Sequence, residues 1–414
     1  MPMRALKAID PTIEYLLKKE YQRQQNTLSL IPSENIASNA VIEALGSVAT
    51  NKYSEGYSGK RYYGGNEIID RIETLAIERA KKMFGTEHAN VQAYSGSPAN
   101  QAVYMALLQP GDTVVGMALP AGGHLTHGWK VSFSGKSYRA VQYGVDKNGY
   151  LDYDEIADLV LKEKPQLVIC GATAYSRIID FKKFRQIADS VGAYLLADIS
   201  HISGLVVGGV HPSPAPYADV IMTTTHKSLR GPRGALVMAR SAEVGVKIDK
   251  AVFPGLQGGP HNHQTAAIAV CLKEANTTEF KSYAKKIIEN AKVLASELEN
   301  CDFSIVTGGT ENHLFLIDLT NKGVTGQEAE DALSTVGIIV NKNMVPGDPR
   351  SPFDPSGLRV GTPSVTTRGL TIKDMKTLAS IINDVTVQKP DRSVLKKAKD
   401  TVNELCKRYP AYPR

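Results

Sequence analysis

Short apolar runs rich in β-branched residues alternate along the chain with segments of helical period, the pattern of an α/β architecture. The runs Thr113 to Met117, Leu167 to Cys170, Tyr194 to Ala197, Val220 to Thr223 and Leu236 to Ala239 are apolar without alternation. Parallel strands covered on both faces read this way, and helices are expected between several of them. Near residue 275 the pattern changes. Tyr283, Ile287, Ala291, Leu294 and Leu298 form one apolar stripe at helical spacing, followed by a strand-like run from Phe315 to Leu319. The expected organisation is a helix and irregular arm over 1–40, ending at Leu30-Ile31-Pro32-Ser33-Glu34-Asn35, a large domain over 41–274 and a smaller C-terminal domain over 275–414. The last strong helix places Val394, Ala398, Val402 and Leu405 on one face and Lys396, Lys397, Lys399 and Asp400 elsewhere, which reads as a solvated amphipathic helix rather than a nucleic-acid arm.

Composition adds bounds. A chain of 414 residues exceeds one typical domain, and 42% hydrophobic with 22% charged residues is the balance of a soluble globular protein. The 48 Lys and Arg exceed the 42 Asp and Glu by only six, and the scattered excess suits small anionic ligands as well as nucleic acid. Cys170, Cys271, Cys301 and Cys406 lie far apart, without metal-type pairing or a disulfide framework. Arg4, Lys7, Asp10, Glu14, Lys18 and Lys19 interrupt any apolar signal core, and no later stretch suits a bilayer, so a cytosolic protein is expected.

In open parallel sheets, ligands collect beyond the carboxyl ends of the strands, and polar residues stand at three such ends here. Thr173 follows the Leu167 run, Asp198 follows Tyr194 to Ala197, and His226-Lys227 follows the Val220 run. Asp198 alone reads more readily as a helix cap, and it is the coincidence of three polar residues at three strand ends that shifts the balance. Lys227, in the uncharged run Thr223-Thr224-Thr225, suits an amine nucleophile because desolvation lowers its pKa. The next segment, Leu229-Arg230-Gly231-Pro232-Arg233-Gly234, is also consistent with an anion-binding turn. A cofactor bearing a phosphate satisfies both readings.

Three further clusters stand out. Tyr94-Ser95-Gly96-Ser97-Pro98-Ala99-Asn100 runs into a helical segment and suits a phosphate, or an ordinary start with Ser97 as N-cap and Pro98 at the first helical position. Asn51 to Gly65 mixes tyrosine, glycine and charge too densely for a core strand or a linker, and reads as a functional surface loop or an oligomer contact. His124 and His127, three apart, lack further ligands at metal spacing, so an imidazole stacked on a flat ring is the better chemistry. His261 and His263 are expected to point oppositely on an extended loop.

Together these segments resemble the serine hydroxymethyltransferase family, pyridoxal-phosphate enzymes of the aspartate aminotransferase fold type. The resemblance rests on Pro32 to Asn35, Tyr53 to Gly65, Ser95-Gly96-Ser97, Gly122 to Gly128, Thr223 to Gly234, Phe253 to Pro260 and Leu358-Arg359-Val360-Gly361-Thr362-Pro363. It implies fold type I, with a mostly parallel seven-stranded sheet in the large domain and an α+β small domain. It implies reversible transfer of the serine hydroxymethyl carbon to tetrahydrofolate, in one-carbon metabolism and glycine and serine interconversion. Lys227 would hold the cofactor as an internal aldimine and Asp198 would pair with the ring nitrogen, favouring its protonated, electron-withdrawing form. His124 would stack on the ring, with His201 and Thr173 near its substituents. Ser95, Gly96 and Ser97 would cup the phosphate, completed by Gly258 and Gly259 of a neighbouring subunit, with Tyr53 and Arg233 also on the cofactor side. Arg359 would grip the substrate carboxylate with Ser33 beside it. Glu55 and Tyr63, with His226 and Thr224, would serve the chemistry, Tyr53 and Glu55 entering from a partner in at least a homodimer. Leu119, Gly123, Leu125, Asn343, Ser351 and Phe353 match folate-contact positions. No metal, nucleic acid or membrane partner is implied. The chain departs from the family at Pro98, which removes a backbone donor near the phosphate, at Ile199-Ser200-His201-Ile202-Ser203 and at Ala235.

Overall fold

The computed structural model describes residues 4–386 and 390–412; positions 1–3 of the arm and 387–389 and 413–414 of the C-terminal domain lie outside the described residues. The large sheet contains seven strands, numbered here in chain order: β1 (His88–Asn90), β2 (Thr113–Met117), β3 (Arg139–Tyr143), β4 (Leu167–Cys170), β5 (Tyr194–Asp198), β6 (Val220–Thr224) and β7 (Ala235–Ala239). Their order across the sheet is β1-β7-β6-β5-β4-β2-β3, with β6, β5, β4, β2 and β3 mutually parallel.

Successive residues of these strands enter two different cores. Val115, Val168, Leu195, Ile221 and Leu236 pack with Ala76, Phe184 and Leu272 on one face. Val114, Leu167, Leu196, Val220 and Val237 pack with Val103, Tyr104 and Ile248 on the other. With both faces covered, no polar residue is required at alternate positions, which is why the strands read as continuous apolar runs. The expectation for Leu236 to Ala239 is corrected in one respect: β7 runs antiparallel to both β6 and β1. Only Thr225 to Gly234 joins it to β6, and a connection without a crossover helix returns the chain antiparallel.

The helix Thr278–Glu299 serves two bodies. Phe280, Tyr283 and Ile287 belong to the large-sheet core, whereas Leu294 and Leu298 belong to a second core. That second core lies against an antiparallel sheet of β8 (Ser304–Ile305), β9 (Leu314–Asp318), β10 (Asn341–Asn343) and β11 (Gly357–Gly361), in the order β8-β9-β11-β10. The N-terminal arm joins it: Leu28–Ser29 pairs in parallel with Ile338–Ile339, and Leu28 and Leu30 are fully buried there. Arg368 fixes this junction by donating to the carbonyls of Gln24, Gln25, Thr27, Cys406 and Tyr409, at the C-terminal ends of two helices.

Candidate active site

Seven of the residues expected at the site from the sequence line one cavity beyond the carboxyl ends of β2, β4, β5 and β6: Gly96, His124, Thr173, Asp198, His201, Thr224 and Lys227. Asp198 closes β5, Thr224 closes β6, and Lys227 stands three residues further on. The approach is close enough to dictate residue type. A Cβ on Gly123 would lie 2.0 Å from the carbonyl oxygen of Met117, so the turn carrying His124 folds back on β2 only with glycine there.

Asp198 is buried and accepts three hydrogen bonds: from His127 Nε2 at 3.1 Å, Asn100 Nδ2 at 3.0 Å and the Ser200 backbone N–H at 3.1 Å. His127 Nδ1 accepts the backbone N–H of His124, so its proton resides on Nε2, facing Asp198. Burial pushes the Asp198 pKa up, but the His127 bond and the neighbouring charges outweigh it and hold the carboxyl well below the usual range. It is a fixed negative charge in a low-dielectric site, suited to a protonated ring nitrogen. His124 is lowered to about 4 by burial and is neutral at physiological pH, as a flat stacking partner should be.

The Lys227 amine makes no hydrogen bond or ion pair among the described residues, and burial lowers it to about 8. Arg359, on β11, is buried too. Its guanidinium donates to the Thr173 carbonyl and to Asn341 Oδ1, and no carboxylate reaches it among the described residues. Burial brings its pKa down to about 10, which still leaves it charged. A buried cation without an anion is costly, and a carboxylate held bidentately would offset that cost.

The helix Gly96–Leu107 begins two residues earlier than the Ser97 cap alternative, because Ser95 is extended and its carbonyl accepts from Ala99 N–H. Ser95 makes no side-chain capping bond, and the N–H groups of Gly96 and Ser97 have no partner among the described residues. A phosphate would satisfy these donors; Pro98, in the same turn, offers none. Thr224 Oγ1, buried at the cavity wall, is likewise unpartnered. These orphaned groups, with Asp198 and Lys227, fit pyridoxal phosphate.

A second cluster forms elsewhere. Tyr53 donates to Glu55 Oε1 at 3.2 Å, its ring meets Tyr63 edge-on at 5.0 Å, and Glu55 and Tyr53 lie against Gly258 and Gly259 of the same chain. Tyr94, immediately before Ser95, donates to the Gly259 carbonyl. None of Tyr53, Glu55, Tyr63, Gly258 and Gly259 is among the lining residues of the cavity at Lys227. His261 and His263 are stacked at 5.8 Å rather than opposed, because a helix starts at Asn262 and the segment is not extended.

Ser33, His226 and Arg233 line a separate groove beside the arm. The arm nevertheless follows the Arg359 strand: Gly361 N–H donates to the Leu30 carbonyl, and a Cβ on Gly361 would meet Pro32 at 2.7 Å. Arg230 is turned away, over the rings of Tyr283 and Phe280. Of the folate-side positions, Leu119, Gly123 and Leu125 follow β2, and Asn343 ends β10. Ser351 and Phe353 lie in an exposed loop before β11, Phe353 84% exposed.

Sequence reasoning did not assign Asn100, Thr126, His127, Asn341, His313 or Asn35 to the site. Asn35 donates to the Lys227 carbonyl and to Tyr283 Oη, and accepts from Thr367. The sequence signal was proximity to quoted motifs: Asn100 closes the Ser95 segment, Asn35 closes the arm, and His127 stands three residues from His124 within the glycine turn.

Comparisons with known proteins place the whole chain beside one family. A family model described as serine hydroxymethyltransferase matches residues 6–382. A protein of that name from Desulfotalea psychrophila is 58% identical over 409 residues, 99% of this chain and 96% of its own length. Its namesakes from Acidothermus cellulolyticus and Sorangium cellulosum are 57% and 53% identical, each over 99% of this chain and 97% of their own lengths.

Proposed function

The chain belongs to the serine hydroxymethyltransferase family, and from that premise we propose how its residues divide the work. The enzyme is a pyridoxal-phosphate-dependent glycine hydroxymethyltransferase that moves the hydroxymethyl carbon of serine reversibly to tetrahydrofolate, giving glycine and methylenetetrahydrofolate. The cofactor, when bound, supplies a protonated ring that accepts electrons from a bond at the amino-acid α-carbon. Everything else falls to side chains.

Lys227 would attach the cofactor: its amine is buried and free of partners among the described residues, and its lowered pKa raises the fraction of nucleophile near neutral pH. Asp198 would hold the proton on the ring nitrogen, His124 would cover the ring, and Thr173 and His201 would meet its substituents. Ser95, Gly96 and Ser97 bind the phosphate, with Tyr53, Gly258 and Gly259 of a second subunit; Thr224, His226 and Arg233 border this side. Arg359 would clamp the substrate carboxylate with Ser33 nearby, and a bidentate clamp fixes the orientation of the bound amino acid. Glu55 and Tyr63 move or position protons at the substrate hydroxyl. Leu119, Gly123, Leu125, Asn343, Ser351 and Phe353 border the folate.

The single observation that carries the substrate assignment is Arg359, a buried guanidinium bonded only to neutral oxygens among the described residues. The paired cluster of Tyr53, Glu55, Gly258 and Gly259 supports a homodimer with shared sites, because both halves lie together and apart from their own chain's lysine cavity. No helix among the described residues is long and apolar enough to cross a membrane; we place the enzyme in the cytoplasm. The division into 1–40, 41–274 and 275–414 accompanies this reading.

Two measurements test it together. Serine-to-glycine turnover is expected to require tetrahydrofolate, and borohydride is expected to trap the cofactor on Lys227. Folate-independent turnover as the main activity, or trapping at another lysine, would overturn the assignment.

A further inference from the structure

His201 follows β5 and lines the cavity, 3% exposed. Its Nδ1 lies 3.2 Å from Nε2 of His313, which is fully buried and comes from the small domain just before β9. The partner is held firmly: the His313 carbonyl accepts from Thr362 N–H, and the preceding Asn312 bonds the carbonyl of Tyr175 and the N–H of Leu314. Burial, reinforced by the cations Lys227 and Arg359, pushes both imidazoles down, His313 to about 3 and His201 well below its ordinary value. Both rings are therefore neutral, and two neutral imidazoles in this contact hold one proton between them.

The other nitrogen of His313 decides where that proton sits. His313 Nδ1 is buried and has no partner among the described residues. If His201 donated, His313 would carry its proton on Nδ1, leaving an unpaired N–H in the interior at about 1–3 kcal/mol. If His313 donates from Nε2, Nδ1 is only a bare acceptor, and unsatisfied acceptors are better tolerated than orphaned donors. His201 Nδ1 then accepts, and the proton of His201 must reside on Nε2, its one remaining ring nitrogen.

We propose that His313 is a positioning residue that fixes the tautomer of His201, so that His201 presents an Nε2–H donor to an electronegative oxygen on the cofactor ring. This rests on reading the cavity as the cofactor site. It makes the donor depend on the docking of the small domain, since the residue that sets the tautomer lies on one body and the residue that uses it on the other.

Nitrogen-15 correlation spectroscopy on histidine-labelled enzyme, with and without pyridoxal phosphate, tests this directly. His201 is expected to be protonated at Nε2 and bare at Nδ1 in both forms. His313→Leu removes the donor and is expected to abolish the single tautomer, shift the visible band of the bound cofactor and weaken cofactor binding roughly tenfold. His313→Gln keeps an N–H donor and should restore all three. A proton found on His201 Nδ1 in the unmodified protein, or a His313→Leu spectrum identical to wild type, would overturn the proposal. If His313→Leu does not fold, the unmodified spectrum alone decides. If the cofactor bound elsewhere, the tautomer would persist while its spectral coupling vanished, which separates failure of the site reading from failure of the tautomer assignment.

Discussion

The strand-end cavity and the tyrosine loop are both rich in polar side chains, yet they fix different parts of them. Around Asp198 the side chains themselves are locked: those of His127 and Asn100 point at one buried carboxylate, which also accepts the Ser200 backbone N–H, and Thr126 ties Asn100 to His124. In the loop, the backbone is locked instead. The buried Arg61 guanidinium donates to the carbonyls of Ser54 and Gly56, either side of Glu55, and pairs with Asp70 and Glu73. Asn262 accepts from Ser54 Oγ and donates to the Lys52 carbonyl. The tips stay outside, with Tyr53 55%, Tyr62 74% and Tyr63 48% exposed. The first arrangement sets electrostatics in advance for a ligand within the chain. The second holds groups at the surface, where on the proposed reading another copy would complete the site.

The sharpest break between the two regions comes from Lys227→Ala, which removes the only buried amine in the cavity. Turnover should fall by at least about 10³-fold with the fold intact; steady-state kinetics beside a thermal melt would show it, and multiple turnover at the normal rate would end the assignment. Arg359→Ala comes next. Loss of a bidentate charge pair costs about 2–4 kcal/mol, so glycine binding, followed by its spectral change, should weaken by roughly 30- to 1,000-fold.

Lys227 also makes a stability prediction. Its folded pKa of about 8 lies below the ordinary lysine value, so between about pH 8 and 10.4 the unfolded chain binds more protons and stability rises with pH. Below pH 8 the desolvation penalty is present in full. The cofactor-free Lys227→Met protein should therefore be more stable than wild type at pH 7, by about 3 kcal/mol at most, with the gap closing towards pH 10. Urea melts at the two pH values measure this.

The smallest signal tests the comparison itself. Lys227→Ala and Glu55→Gln subunits, each inactive alone, should regain about a quarter of wild-type activity when unfolded together and refolded as a mixture, because half the dimers carry one intact composite site. If Glu55 served its own chain, the mixture would stay inactive.

Much of the cavity was legible in the chain because strand-end residues are local consequences of a local pattern: an apolar run stops, and Asp198 or Thr224 is the last residue paired. The antiparallel course of β7 does not show in its apolar run, which satisfies either direction; the signal lies in the short link Thr225 to Gly234, which has no room for a crossover helix. His127, Asn100 and His313 were not assigned for a different reason. Their contacts with residues 71, 98 and 112 positions away depend on how β5 meets other elements.

The sequence by itself determined residue types and order: which strands are buried on both faces, where a lysine, an aspartate and an arginine stand, and the motifs that identify the family. Tertiary structure decided protonation and pairing. It left Arg359 without an acid, gave Asp198 three donors and brought His313 against His201. Charge state in an interior depends on desolvation and on neighbours within a few ångströms, and those neighbours come from segments that only the packed fold brings together.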